Sequence, residues 1–162
     1  MITTLWDSAG GSPLQNSPYQ YSDGNAATQP QGLSIASSSA ANHALVPGTV
    51  VQVDLGTVQN VGDTVSIELE VQNPATKAPA ANTTLTMYAA CSSSGSKQPP
   101  ELLPASSNLA CTMSTVNGRT SVFMMPLFYM AARYLYVWFQ YAGDANGAVP
   151  LGLRLRVNGK TA

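Results

Sequence analysis

Residues 64–72 read TVSIELEVQ. Val65, Ile67, Leu69 and Val71 alternate without a break with Ser66, Glu68, Glu70 and Gln72. In an extended chain successive side chains point to opposite faces, so this period of two places four apolar groups on one side and four polar groups on the other. A strand with one face on a core and one in water has this pattern. The same reading extends along the chain. Leu33 to Ser38 is a weaker candidate, and Thr49 to Gly56 puts Val51, Val53 and Leu55 on one face. Thr83 to Cys91 does the same with Leu85, Met87, Ala89 and Cys91. Ala110 to Val116, Arg119 to Met125, Arg133 to Ala142 and Val149 to Val157 follow, the last with Leu151, Leu153, Leu155 and Val157 inward. No stretch keeps a helical period with caps, although Pro126 to Ala132 has room for one turn. About eight short strands separated by turns predict an all-β fold, an antiparallel β-sandwich of jelly-roll type. Asn117-Gly118 between two strand candidates reads as a two-residue hairpin.

The strand Arg133 to Ala142 breaks the pattern. Leu135, Val137 and Phe139 make one apolar face, but the other carries Tyr134, Tyr136 and Trp138. Two coverings are needed. A facing sheet supplies the first. The second is a loop or arm of the same chain, a neighbouring subunit or protein partner, or a sugar stacked on the rings.

Residues 7–32 (DSAGGSPLQNSPYQYSDGNAATQPQG) hold no apolar period. A run of this length without structure is uncommon inside a compact domain. The chain is therefore expected to divide into an extended N-terminal arm, 1–32, and a sandwich domain, 33–162. Leu14, Tyr19 and Tyr21 are the arm's candidate anchors on a partner, and Ile2 to Trp6 can pair as a short strand or hook. Removing 1–32 is expected to leave a folded core.

Charged residues make up 9% of the 162, against about 25% in an ordinary domain. Seven basic and eight acidic residues give a net charge of −1, so no basic patch exists to hold phosphates, and nucleic acid is not expected as a partner. A nearly neutral surface also lacks electrostatic protection against self-association. No signal-peptide pattern opens the sequence and no run of 18 apolar residues crosses a membrane. The chain is expected to be made and kept in the cytosol, with Cys91 and Cys111 reduced rather than bridged. The sequon at Asn82-Thr83-Thr84 then reads as turn and strand chemistry.

The search for catalytic groups returns little. His43 is the single histidine, and it has no ligand-spaced Cys or acid beside it. Glu68 and Glu70 could serve as a carboxylate pair in glycoside hydrolysis. Arg154 and Arg156 repeat their spacing with opposite charge, and pairing across neighbouring strands, or equally between subunits, accounts for both couples without catalysis. Asp144-Ala145-Asn146-Gly147 lacks the later ligands of a calcium loop. Met124, Met125 and Met130, with Phe123 and Phe128, read as core filling or interface. The segment Gln98 to Leu109 carries Leu102, Leu103 and Leu109 in a turn-rich loop, either an interaction loop or a core plug. No catalytic residue, cofactor or metal site is assigned.

An initiator Met1, a polar uncharged arm, strands rich in Ala, Ser, Thr and Gly, and an aromatic strand near the C-terminus together resemble the decoration (cement) proteins of tailed-bacteriophage capsids. The resemblance implies a virion structural protein, often a homo-oligomer, made in the host cytoplasm. It implies attachment outside the shell, where the protein stabilises the particle by bridging major capsid protein subunits. The alternative from the residues themselves is a carbohydrate-binding sandwich, receptor-binding or lectin-like, using Tyr134, Tyr136 and Trp138.

Overall fold

The computed structural model describes residues 2–7, 33–35, 51–55, 61–97, 102, 106–142 and 151–160. They form nine strands: β1 (Ile2–Asp7), β2 (Leu33–Ile35), β3 (Val51–Asp54), β4 (Thr64–Gln72), β5 (Thr84–Ser92), β6 (Ser107–Thr112), β7 (Thr120–Tyr129), β8 (Tyr134–Ala142) and β9 (Leu151–Lys160). Two sheets result. One has the order β2-β9-β4-β7, with β1 also on β9, and the other has the order β3-β8-β5-β6.

The connectivity has a simple origin. β2 pairs with β9, β3 with β8, β4 with β7 and β5 with β6, all antiparallel. The second half of the chain thus runs back along the first as nested pairs. Rolling that long hairpin brings β4 beside β9 and β5 beside β8. The product is the two-sheet jelly roll expected from the strand pattern.

Alternation decides what lies between the sheets. Val65, Ile67, Leu69 and Val71 of β4 and Leu151, Leu153, Leu155 and Val157 of β9 face Leu85, Met87 and Ala89 of β5 and Leu135, Val137 and Phe139 of β8. All are buried, and apart from Ala89 each such side chain removed from water contributes about 1.5–3 kcal/mol. β4 keeps the bounds read from the sequence.

Four sequence expectations are corrected. Asn117-Gly118 does not close a hairpin, because β6 and β7 belong to different sheets. The turn instead carries the chain from one layer to the other. Buried Asn73 holds it by donating from Nδ2 to the carbonyls of Ser114 (2.8 Å) and Val116 (2.9 Å), and Gly118 N donates to Pro74 O. Gly118 takes φ 68° there, a conformation that glycine adopts without a Cβ penalty. Second, β6 starts at Ser107 and ends at Thr112, earlier than expected. Third, Pro126 does not begin a helical turn; β7 continues through it to Tyr129. Met125 pairs with Ile67 and Phe128 with Val65, so Pro126 and Leu127 together oppose Ser66. That is a β-bulge on an edge strand, where a residue without an N–H is tolerated.

The fourth correction concerns the arm. Ile2–Asp7 is a strand paired with Lys160 to Arg156, and Leu5 is buried in the main core. The sandwich therefore takes in β1, ahead of the boundary expected at residue 33. Removing 1–32 would delete a core side chain. β1 and β2 lie end to end along β9, Asp7 opposite Arg156 and Leu33 opposite Leu153. Leu14, Tyr19, Tyr21 and His43 lie outside the described residues, as does the turn 144–147.

Because Leu155 sits in mid-strand with both sheets around it, Leu155→Ala is expected to cost about 2–5 kcal/mol. Urea unfolding followed by circular dichroism measures this, and a loss below 1 kcal/mol would contradict the packing described.

Candidate functional site

The aromatic face of β8 comes first. Val51 to Asp54 of β3 and Thr84 to Ser92 of β5 flank β8, so Tyr134, Tyr136 and Trp138 project from the middle of a sheet, away from the main core. Tyr136 and Trp138 are each 1% exposed. They form a second, small core with Ala90 and Leu102, against which Tyr88 and Tyr134 pack. Tyr88 stacks on Trp138 at 5.6 Å between ring centroids and 9° between planes. The tyrosine hydroxyls are also engaged. Tyr136 Oη donates to Ser94 O at 2.8 Å and accepts from Lys97 N at 3.1 Å, and Tyr88 Oη donates to Gln140 Oε1 at 2.8 Å. A Cβ on Gly95 would stand 3.0 Å from Gln52 Nε2 and 3.2 Å from the Tyr134 ring, so the backbone lies close on this face.

The second covering is therefore supplied by the chain's own Ser94 to Lys97 and Leu102, one of the three coverings the sequence allowed. Leu102 is a plug, on the outer face of the sheet rather than in the main core. Leu109 belongs to β6 and packs on the main core, and Leu103 lies outside the described residues. A partner or a sugar reaches Tyr136 and Trp138 only after this covering moves.

On the outer face of the other sheet, β4 and β9 set Glu68 opposite Arg156 and Glu70 opposite Arg154. Arg156 bridges both acids, Nη1 to Glu68 and Nη2 to Glu70 at 3.1 Å. The carboxylates share one guanidinium instead of flanking a cleft, which is the cross-strand arrangement their spacing suggested. Arg133 makes a second, bidentate pair with Asp54 (2.8 and 2.6 Å) at the β3–β8 edge and lies over the Tyr134 ring. The Asp54 carboxylate raises the pKa of Arg133.

The third region is the side of the sandwich where β6 and β7 end the two sheets. Among the described residues, β6 pairs only with β5 and β7 only with β4. Neither SNLACT nor TSVFMMPLFY contains a charged residue. On β7 the outward side chains are Val122 (59% exposed), Met124 (49%), Leu127 (78%) and Tyr129 (58%). Four large apolar groups in water along one strand form a stripe rather than scattered singles. Leu127 also has φ 50°, a left-handed conformation that costs a non-glycine residue about 1–2 kcal/mol. Between the sheet edges is a hollow of about 470 Å³ lined by Cys91 of β5, Ser107 of β6, Met125 to Tyr129 of β7, and Ala131. Half-buried Phe123 and Leu109 finish the core on this side.

The methionine and phenylalanine cluster is thereby divided. Met125, Phe128 and Met130 are core, Phe123 is half-buried and Met124 is exposed. The sequence did carry a signal for this surface: between Val122 and Met125 both alternating sets are apolar, as in β8.

Cys91 and Cys111 are free thiols. Cys111 pairs with Leu85, six positions along β5 from Cys91 and so about 20 Å away, too far for a bridge. Burial pushes the Cys111 thiol up to about 12. Burial also raises Cys91, partly offset by backbone hydrogen bonds from Ala131 and Ala132. Among the described residues no three His, Cys, Asp or Glu come together to hold a metal ion, and no helix is long and apolar enough to cross a membrane.

No protein-family model and no curated protein matches this sequence. Among solved structures, the chain is similar to the K3 cleaved adhesin domain of Lys-gingipain from Porphyromonas gingivalis w83, at 10% identity and a TM-score of 0.45. The match covers 68% of this chain and 63% of that one, less than two thirds of its length.

Two outcomes are expected. Tyr136→Phe removes the hydroxyl that ties Ser94 and Lys97 to the sheet, and is expected to cost about 1–2 kcal/mol with faster hydrogen exchange at the Lys97 amide; unchanged exchange would contradict the tie. At pH 9, where an ordinary thiol is half ionised, native Cys111 is expected to resist alkylation that unfolding in urea releases. The raised pKa carries the opposite sign from a carboxylate's. Stability is full below the unfolded value and falls as pH rises from 9 towards 12, and Cys111→Ala is expected to flatten that fall.

Proposed function

We propose that this chain is a non-enzymatic structural protein of a virus particle, a jelly roll that sits on the outside of a tailed-phage capsid shell and bridges major capsid protein subunits. The observation that carries this reading is the uncharged open side at β6 and β7. Its apolar stripe and hollow offer contact area and shape, and among the described residues no three His, Cys, Asp or Glu come together there. Aromatic and methionine side chains are the types enriched where proteins meet. Jelly rolls serve as capsid, lectin and other domains, so the fold permits this role without selecting it. The low charge of the whole surface supports it too, since a protein held in an assembly needs little electrostatic protection. The carbohydrate reading would use Tyr134, Tyr136 and Trp138, and the burial of the last two leaves it without a favouring observation.

The test is co-sedimentation with assembled shells of the major capsid protein from the same virus. Wild-type protein is expected to pellet with the shells. Leu127→Glu with Tyr129→Glu, both at exposed positions, is expected to weaken binding at least tenfold, about 1.4 kcal/mol, with the melting temperature retained. Replacing 8–32 by a short Gly-Ser linker that spans the roughly 10 Å between Asp7 and Leu33 tests the anchors Leu14, Tyr19 and Tyr21 with β1 and Leu5 kept in place. No binding of the wild-type chain to shells would overturn the reading.

A further inference from the structure

Among the described residues β7 has one unpaired edge, which is unusual for a protein that stays alone. Natural edge strands are blunted by charge, by proline or by a bulge, because a bare row of backbone groups recruits another strand. β7 has a proline and a bulge, but both lie in its second half, at Pro126 and Leu127. Thr120 to Met125 has neither, and no charge. It runs as a regular ladder against Gln72 to Ile67 on its other side. Val122 and Met124 project outward into water, and Phe123 inward over the open side of the core.

We infer that Thr120–Met125 pairs with the same segment of a second copy of this chain, antiparallel about a two-fold axis, so that the sheet containing β7 continues through both molecules. This rests on the reading of the β6–β7 side as a protein contact surface, and it names the partner that the first half of β7 takes. Two observations select a second copy. A two-fold contact sets a surface against itself, and a charged edge would then face its own charge; β6 and β7 have none, and the whole chain carries only −1.

The alternation also matches. Residues opposite one another in a ladder must share a face, so the axis falls on a residue. With the axis at Phe123, Val122 meets the second copy's Met124 on the outer face, and the two Phe123 rings meet on the inner face. Arg119, just before the strand, then lies towards the bulge end of the second copy and away from its equivalent.

The area sets the strength. The six residues Thr120 to Met125 span about 20 Å, and a side wall two sheets deep with its outer side chains is roughly 20 Å. That offers on the order of 400 Å² per partner, about half of a standard interface, the size of a weak and concentration-dependent contact. Pro126 and the bulge end the ladder, leaving Leu127, Tyr129 and the hollow outside the pairing.

Analytical ultracentrifugation of the full chain tests this. The wild type is expected to sediment as a dimer at about 100 µM. Val122→Lys with Met124→Lys should give a monomer with an unchanged circular dichroism spectrum, since both positions face water. The corresponding double Glu variant should also be monomeric. Mixing the Lys and Glu variants should restore a dimer, which misfolding could not do. In the wild type, the amides of Ser121 to Met125 should become more protected from exchange as concentration rises, a readout that needs no substitution. A strictly monomeric wild type, a dimer indifferent to the Lys pair, or protection at 121–125 independent of concentration would each overturn the inference. A monomer that still binds shells would leave the capsid reading standing. A β7-paired dimer that ignores shells would overturn the capsid reading alone.

Discussion

Strand β8 is apolar on both faces, and the rest of the architecture follows from having to dry both of them. Val137 and Phe139 need a facing sheet, which β4 and β9 supply through Ile67, Leu69 and Leu155. Tyr136 and Trp138 need a cover as well, and the connection between β5 and β6 supplies it through Leu102 and the hydrogen bonds of Ser94 and Lys97 to one tyrosine hydroxyl. Trp138 Nε1 and Gln52 Oε1 are buried on this face without a hydrogen bond. Each unmade bond costs on the order of 1–3 kcal/mol, so ring packing and the Tyr136 hydroxyl hold the cover in place.

The two outer faces consequently differ in kind. One is closed over by the chain itself. The other is a polar ladder in which Arg156 gathers Glu68 and Glu70 towards β9, while their partners on the other side, Met124 and Val122 of β7, carry no charge. The sandwich is thus polar across the middle of that sheet and apolar at one rim. Among the described residues that apolar rim is one side wall of the sandwich, and the opposite side ends in β1, β2 and β3.

How much of this the sequence revealed depends on how local each constraint is. Alternation is a property of the strand itself, so Thr64–Gln72 could be read to the residue and the long strands to within a few positions. The pairing of Glu68 and Glu70 with Arg156 was legible for the same reason, since two matched spacings of opposite sign need only adjacent strands. Asn117-Gly118 misled because turn chemistry fixes a backbone angle and says nothing about which sheet the next strand joins. Nor could the sequence specify the cover over Tyr136 and Trp138. The Leu102 plug has no period to announce it. The apolar rim was half visible: Val122, Phe123, Met124 and Met125 are apolar in succession, but only the strand order makes β7 an edge and so leaves Val122 and Met124 in water.

The position of β1 changes what the segment after it can do. Asp7 and Leu33 sit on the same strand, opposite residues only three apart, about 10 Å along β9. The strand ends on either side of 8–32 are accordingly held close together on β9. Closing a loop of about 25 residues costs roughly 2.8 kcal/mol of chain entropy, and folding of the sandwich has already met it. Leu14, Tyr19 and Tyr21 thus lie in sequence between two points of attachment to β9 rather than beyond one.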